Sequence, residues 1–431
     1  MLRMKPSLER ATGAPARRAS LAIDNLRAIV IVLVLAFHSV LAYLNFLPAH
    51  PFAFDEPPYL WRSFPIVDTA RFMGFDLFCA WLDVFLMSFF FMLSGLFVWP
   101  SLQRKGAWAF LSDRLLRIGV PFLVVAFLLM PVAQYPTYLQ TATDPSIVAF
   151  WRHWLGLPFW PSGPMWFLWP LLLWDVLAAA VYPLLARHRE VVLRLSAYAR
   201  RRPGRFLAGF VIASAMAYVP LALIFGPTGW AHRGPFSLQL SRPLHYLLYF
   251  FAGAAIGACG IERGLLAADG PLARRWAAWL AAAIASFMLW VAAMSQIVAD
   301  PAGSPIAWHV AAALSFVLAC FASCCFAFAA SVRFAQFRTD IGDSLKDNAY
   351  GMYLVHYLFI VWLQFAMLPT SLPGLVKASV VFAGTMALSW AASAALRRVP
   401  AVAPIIGDTR RAPARASAGS ARARQMPSLS D

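Results

Sequence analysis

Ten apolar runs of about twenty residues constrain this chain more than any other feature. They lie near 25–46, 78–99, 115–133, 164–185, 206–225, 243–260, 275–297, 306–330, 348–368 and 375–396. A run of about 20 apolar residues spans the roughly 30 Å hydrocarbon core as a helix. In lipid no water pairs with the backbone, so each such segment must satisfy its own N–H and C=O groups, which a helix does. Composition agrees: 61% of residues are hydrophobic and 13% charged, against about 45–50% and 25% in a soluble domain. The chain therefore reads as an all-α, polytopic integral membrane protein of about ten transmembrane helices. The first run is too long for a cleavable leader and has no small-residue cleavage site, so it reads as a span.

The net charge of +17 raises the question of nucleic acid. Its distribution answers it. Thirty of the 36 Lys and Arg residues fall in the N-terminal tail, the C-terminal tail and the segments after runs two, four, six and eight; Arg62, Arg71, Arg152, Arg233, Arg242 and Lys377 make up the rest. The positive-inside rule then places both termini in the cytoplasm, where the basic segments face anionic lipid headgroups. Nucleic-acid binding would need a folded basic domain, and no segment reads as one. Residues 1–20 and 401–431 are rich in Ala, Arg, Ser, Gly and Pro without apolar periodicity, and read as disordered tails around a membrane domain at 21–400. No internal repeat supports a transporter built of inverted halves. Cys79, Cys259, Cys320, Cys324 and Cys325 have no metal-ligand spacing and read as buried thiols.

An ionisable side chain inside a span is costly and faces protein or water, which makes it a functional candidate. His38 is the first. It lies eleven residues beyond Arg27. At about 100° per residue this returns both to within roughly 20° of one helix face, about 16 Å apart along the axis. A neutral imidazole can accept a proton from an attacking hydroxyl and return it to a leaving group. The alternative is a packing histidine. A cation at the cytoplasmic mouth on the same face suits a phosphorylated ligand whose reactive end reaches His38. Asp24 is the natural salt-bridge partner of Arg27.

Arg114 and Arg117 share a face at a helix entrance, and paired guanidiniums clamp phosphate oxygens; plain topology anchoring gives the same pattern. Ser94 and Gly95, among phenylalanines, permit either close helix packing or passage of a ligand arm. Tyr353 and His356 share a face of the ninth run. Asp175 lies near mid-membrane with the depth to orient His38, while Asp83, His245 and His309 lie farther out. Each is equally well placed for a structural pair. The outer segments 47–77 and 131–166 are rich in Trp and Tyr, a composition shared by sugar-stacking surfaces and by interfacial belts. The belt is the favoured reading for most of them, with Trp166 singled out as a site candidate.

Five elements, in this order, resemble those of membrane-bound acyltransferase family 3: Arg27 to His38; Phe90, Phe91, Ser94 and Gly95; Arg114 and Arg117; Trp166–Phe167–Leu168; and Tyr350 to His356. The resemblance covers roughly residues 20–400. It implies a ten-helix enzyme of the cytoplasmic membrane that moves acyl groups from cytoplasmic acyl-CoA to a hydroxyl of an extracytoplasmic glycan or glycolipid. It implies His38 as the catalytic residue, Arg27, Arg114, Arg117, Ser94 and Gly95 on acyl-CoA, and His356, Tyr353 and Trp166 in support; Asp175 joins the supporting group on its depth alone. Acetyl-CoA or succinyl-CoA would be the co-substrate, and the acidic, Pro-rich first outer loop looks like that of the branch that succinylates periplasmic glucans. The rival reading is a transporter or proton-coupled flippase using His38, Asp175 and His356 as relays.

Overall fold

A computed structural model describes residues 14–188, 190, 198, 201–260, 266–267 and 270–406. Its apolar helices are α1 (Ala14–Val40), α2 (Gly74–Gly95), α3 (Ala107–Leu139), α4 (Leu168–Arg187), α5 (Pro203–Phe225), α6 (Pro243–Ala258), α7 (Trp276–Ala299), α8 (Ile306–Phe334), α9 (Asp340–Met367) and α10 (Gly374–Leu396). Nine helices among the described residues are long and apolar enough to cross a membrane. The exception is α6, whose 16 residues span about 24 Å. The protein is a multi-pass, all-α membrane protein, with one small exception. Between α5 and α6 a two-stranded antiparallel hairpin forms, β1 (Trp230–Arg233) and β2 (Phe236–Gln239), in the register Trp230 to Gln239 and Arg233 to Phe236.

Two expectations are corrected at the ends. Helix α1 begins at Ala14, inside the stretch expected to be disordered, and residues 401–406 turn back so that Ala403 and Ile406 are buried. The expected disorder of 1–13 and 407–431 lies outside the described residues. Among the cysteines, Cys259 is exposed rather than buried; the other four are buried.

The prolines of α3 explain how the bundle is joined. A proline nitrogen cannot donate to the carbonyl four residues back. Pro121 therefore leaves Arg117 O, and Pro136 leaves Val132 O, without its usual donor. An unpaired carbonyl in lipid costs several kcal/mol. Helix α9 supplies both donors: the Tyr350 hydroxyl to Arg117 O, and Trp362 Nε1 to Val132 O at 2.9 Å. Helix α3 winds into π-helical turns at Leu115–Gly119 and Val125–Leu129, and Ala126 O in the second accepts Trp160 Nε1 at 2.8 Å. These bonds dock α9 and the loop before α4 onto α3.

Helix α1 is tied at both ends to the same part of the chain. Asn25 Nδ2 donates to Ala335 O at 2.8 Å and Phe337 O at 2.9 Å, between α8 and α9. Gln364 Nε2 of α9 donates to His38 O at 2.9 Å and Ser39 O at 3.2 Å. Beyond Val40 the chain is held by the returning loop. Asp68 N donates to Ala42 O, Phe72 N to Tyr43 O, and the Asp68 carboxylate takes Lys377 Nζ of α10 at 2.7 Å.

The outer loops form a packed cover rather than the expected aromatic belt. Trp61 and Trp154 are both 1% exposed. Trp61 stacks on Phe54 at 4.6 Å between ring centroids and donates Nε1 to Phe54 O. Tyr138 and Phe150 close on the same ring. Residues of the connecting segments and of the end of α3 meet one another here, so their aromatic content serves a small core of its own.

Candidate active site

His38 and His356 meet. Their ring centroids are 5.2 Å apart, with the Tyr357 ring 5.7 Å from that of His38. His38 Nδ1 lies 2.8 Å from Val34 O, and His356 Nδ1 lies 2.6 Å from Tyr353 O. A carbonyl oxygen only accepts, so in each ring Nδ1 carries the proton. The neutral ring then holds its lone pair on Nε2. Among the described residues, His356 Nε2 is buried without a hydrogen-bond partner. Both histidines thus present basic nitrogens oriented by the backbone of their own helices. The orienting group of His38 is a carbonyl one turn back, where the sequence had offered a carboxylate.

Asp175 is not that carboxylate. It is fully buried on α4, and Arg114 Nε stands 3.3 Å from its Oδ2. Asp83 pairs with Arg242 at 2.5 Å, His245 Nδ1 lies 3.1 Å from Ser214 Oγ, and His309 Nε2 lies 2.9 Å from Ser304 Oγ. Each of the other polar groups considered for His38 therefore has its own partner elsewhere.

Arg27 stands over the Phe97 ring at 5.2 Å, within electrostatic reach of Asp24 and Arg114. Arg114 also lies over Phe110 at 4.9 Å. Arg27 is exposed and His38 half-buried. Arg117 meets the site through its backbone, by the Tyr350 bond described above. The π-helical turn after Arg114 swings the two side chains farther apart than α-helical spacing would.

Tyr353 donates to Pro164 O at 2.7 Å and stacks on His356 at 5.7 Å. The Pro164 turn can come this close because Gly163 precedes it. Gly163 has φ +52, and a Cβ there would sit 2.8 Å from Met130 Sδ. Trp166 points the other way, toward Trp230 at 5.0 Å and Tyr246 at 6.1 Å. Its element reaches the histidines through Pro164, not through the indole.

Gly95 takes the packing role, one of the two that the Ser94–Gly95 pair offered. A Cβ there would lie 2.1 Å from Phe250 O of α6. Gly253 and Gly257 of α6 answer it against Met92 O and Leu96 O, each at 2.0 Å. The α2 and α6 backbones thus touch at Gly95. Ser94 is half-buried beside this contact. Gly95→Val is expected to reduce the yield of folded protein and its melting temperature; a variant that folds normally and is changed only in KM would restore the ligand role.

Sequence reasoning missed Tyr357 against the His38 ring, Gln364 on the main-chain oxygens of His38 and Ser39, and Gln134 beside Tyr357. An amide inside an apolar run was the available signal.

A family model described as an acyltransferase domain matches residues 20–394. No curated protein and no solved structure matches the chain. The match spans α1 through most of α10 and includes every residue of the histidine site, so the chain belongs to the membrane acyltransferase 3 family.

Proposed function

We propose that this protein transfers an acyl group from acyl-CoA to a hydroxyl of an extracytoplasmic glycan or glycolipid, with His38 as general base. The acyl group is acetyl or succinyl, and the enzyme works in the cytoplasmic membrane. The observation that carries the reading is the contact of His38 Nδ1 with Val34 O, which leaves Nε2 as the acceptor nitrogen on the same helix face as Arg27, with Arg114 within electrostatic reach of Arg27. Acyl-CoA docks from the basic side, its phosphates on Arg27 and Arg114. The thioester reaches His38, about halfway across. The acceptor arrives from the side of the aromatic loops, and the free Nε2 of His356 orients its hydroxyl. Transport by a polar relay fits less well, because Asp175 is taken by Arg114.

The test uses purified protein with radiolabelled acetyl-CoA or succinyl-CoA and glucose oligosaccharides as acceptors. Label in the oligosaccharide supports the reading. Absence of CoA-dependent transfer or hydrolysis, alongside intact solute uptake, overturns it. Direct transfer requires donor and acceptor to be bound together, so initial-rate lines should intersect.

Arg27 offers a clean check of donor binding. Among the described residues it makes no buried ion pair whose loss would unfold the protein. A hydrogen bond to a charged group is worth about 1.5–3 kcal/mol, so Arg27→Ala should raise KM for acyl-CoA roughly tenfold or more with kcat little changed. An unchanged KM would reduce Arg27 to a topology signal.

A further inference from the structure

Gln134 is a neutral amide held in the membrane part of α3, 0% exposed. Thr137 Oγ1 donates to its Oε1 at 2.7 Å, which fixes the carboxamide. The carboxamide lies against the Tyr357 side chain, and among the described residues its Nε2 meets no acceptor in hydrogen-bonding geometry. A buried N–H group left unpaired is costly, and a carboxamide has two of them. The Tyr357 ring stands edge-on to His38, with an interplanar angle of 85°. Gly163 packs against the same ring, where a Cβ would be 3.2 Å from Cε1. The Gln134 carboxamide, with an unused N–H, therefore sits against the tyrosine whose ring packs on His38.

We propose that Gln134 Nε2, together with the Tyr357 hydroxyl, receives the negative charge that develops on the acyl carbonyl oxygen. This inference rests on the acyl-transfer reading above. The acceptor oxygen attacks the thioester carbon, forming a C–O bond, while its proton passes to His38 Nε2. The carbonyl π pair moves onto the carbonyl oxygen, and that oxyanion accepts hydrogen bonds from Gln134 and Tyr357. Collapse restores the carbonyl and breaks the C–S bond. The CoA sulfur leaves with the pair and takes the proton from His38. Donors already fixed in a water-poor site stabilise such charge without reorganising.

The test compares purified full-length wild type, Gln134→Met, Tyr357→Phe and His38→Ala. The donor is whichever of acetyl-CoA or succinyl-CoA the wild type turns over, with glucose oligosaccharide as acceptor. Gln134→Met keeps the length and removes the donor. It should lower kcat about 100-fold, with KM for acyl-CoA and melting temperature near wild type. Tyr357→Phe should lower kcat in the same sense with KM unchanged. Wild-type kcat in Gln134→Met, with His38→Ala inactive, overturns the oxyanion role and leaves acyl transfer standing. A Gln134→Met protein that loses melting temperature while the kcat of its folded fraction is normal also overturns it. Wild-type turnover in His38→Ala overturns His38 as the base, and absence of transfer by the wild type overturns the acyl-transfer reading itself.

Discussion

His38→Ala should lower acyl transfer by about 10²- to 10⁴-fold, the range associated with loss of a general acid–base group, and leave the amount of folded protein in the membrane unchanged. The two halves of this expectation have different grounds. The loss of rate follows from the ring's tautomer. Val34 O holds the proton on Nδ1, so Nε2 is free to accept one from a hydroxyl. The retained fold follows from how little the ring supports. Val34 O keeps the backbone N–H four residues on, as in any α-helix, so removing the imidazole strands no carbonyl. The end of α1 is held by Gln364, which grips the main-chain oxygens of His38 and Ser39 whatever side chain residue 38 carries. Radiolabel transfer by purified protein, normalised to folded protein by size-exclusion chromatography, measures both halves. Wild-type turnover would refute the role. The other ring in contact, His356, would then be the base, and His356→Ala would be the inactive variant.

The alignment of Arg27 with His38 was legible in the sequence because it depends only on the phase of one helix, and α1 runs unbroken from Ala14 to Val40. Tyr353 and His356 were legible as a face of α9 for the same reason. That the two faces meet was not, because contact between helices depends on lateral neighbours that periodicity does not encode. Asp175 shows the limit: its depth suits His38 and Arg114 equally, and the packing of α4 on α3 chose Arg114. Some of that lateral information was present in another form. Gly253 and Gly257 are a G-x-x-x-G pair, the pattern that lets helix backbones touch, and they mark the α6 surface that meets Gly95. Prolines at 121 and 136 likewise mark carbonyls that must find donors elsewhere, though not which Tyr or Trp supplies them. The loop tryptophans misled because a belt and a small aromatic core share one composition.

Lys377→Met should destabilise the protein by roughly 3–5 kcal/mol, the cost of leaving one member of a buried ion pair without its partner. Lys377 and Asp68 are each 2% exposed, with Nζ and Oδ2 2.7 Å apart. Asp68 Oδ1 also accepts Ala70 N at 2.8 Å, so the carboxylate cannot turn away to water without releasing its own loop. That loop holds the end of α1: Asp68 N donates to Ala42 O and Phe72 N to Tyr43 O, while Arg71 reaches Ala42 O and Pro48 O. Its release frees the turn that follows His38, so transfer activity should fall with stability. The double variant Asp68→Asn/Lys377→Met separates charge from packing. It leaves no charge buried alone, and a neutral replacement of similar volume can match a buried ion pair. The double variant should therefore recover most of the loss, a coupling expected of groups in contact. Melting in detergent of wild type, both single variants and the double variant measures it. A double variant as unstable as Lys377→Met would mean that the lysine stem, not the charge pair, holds the loop to α10.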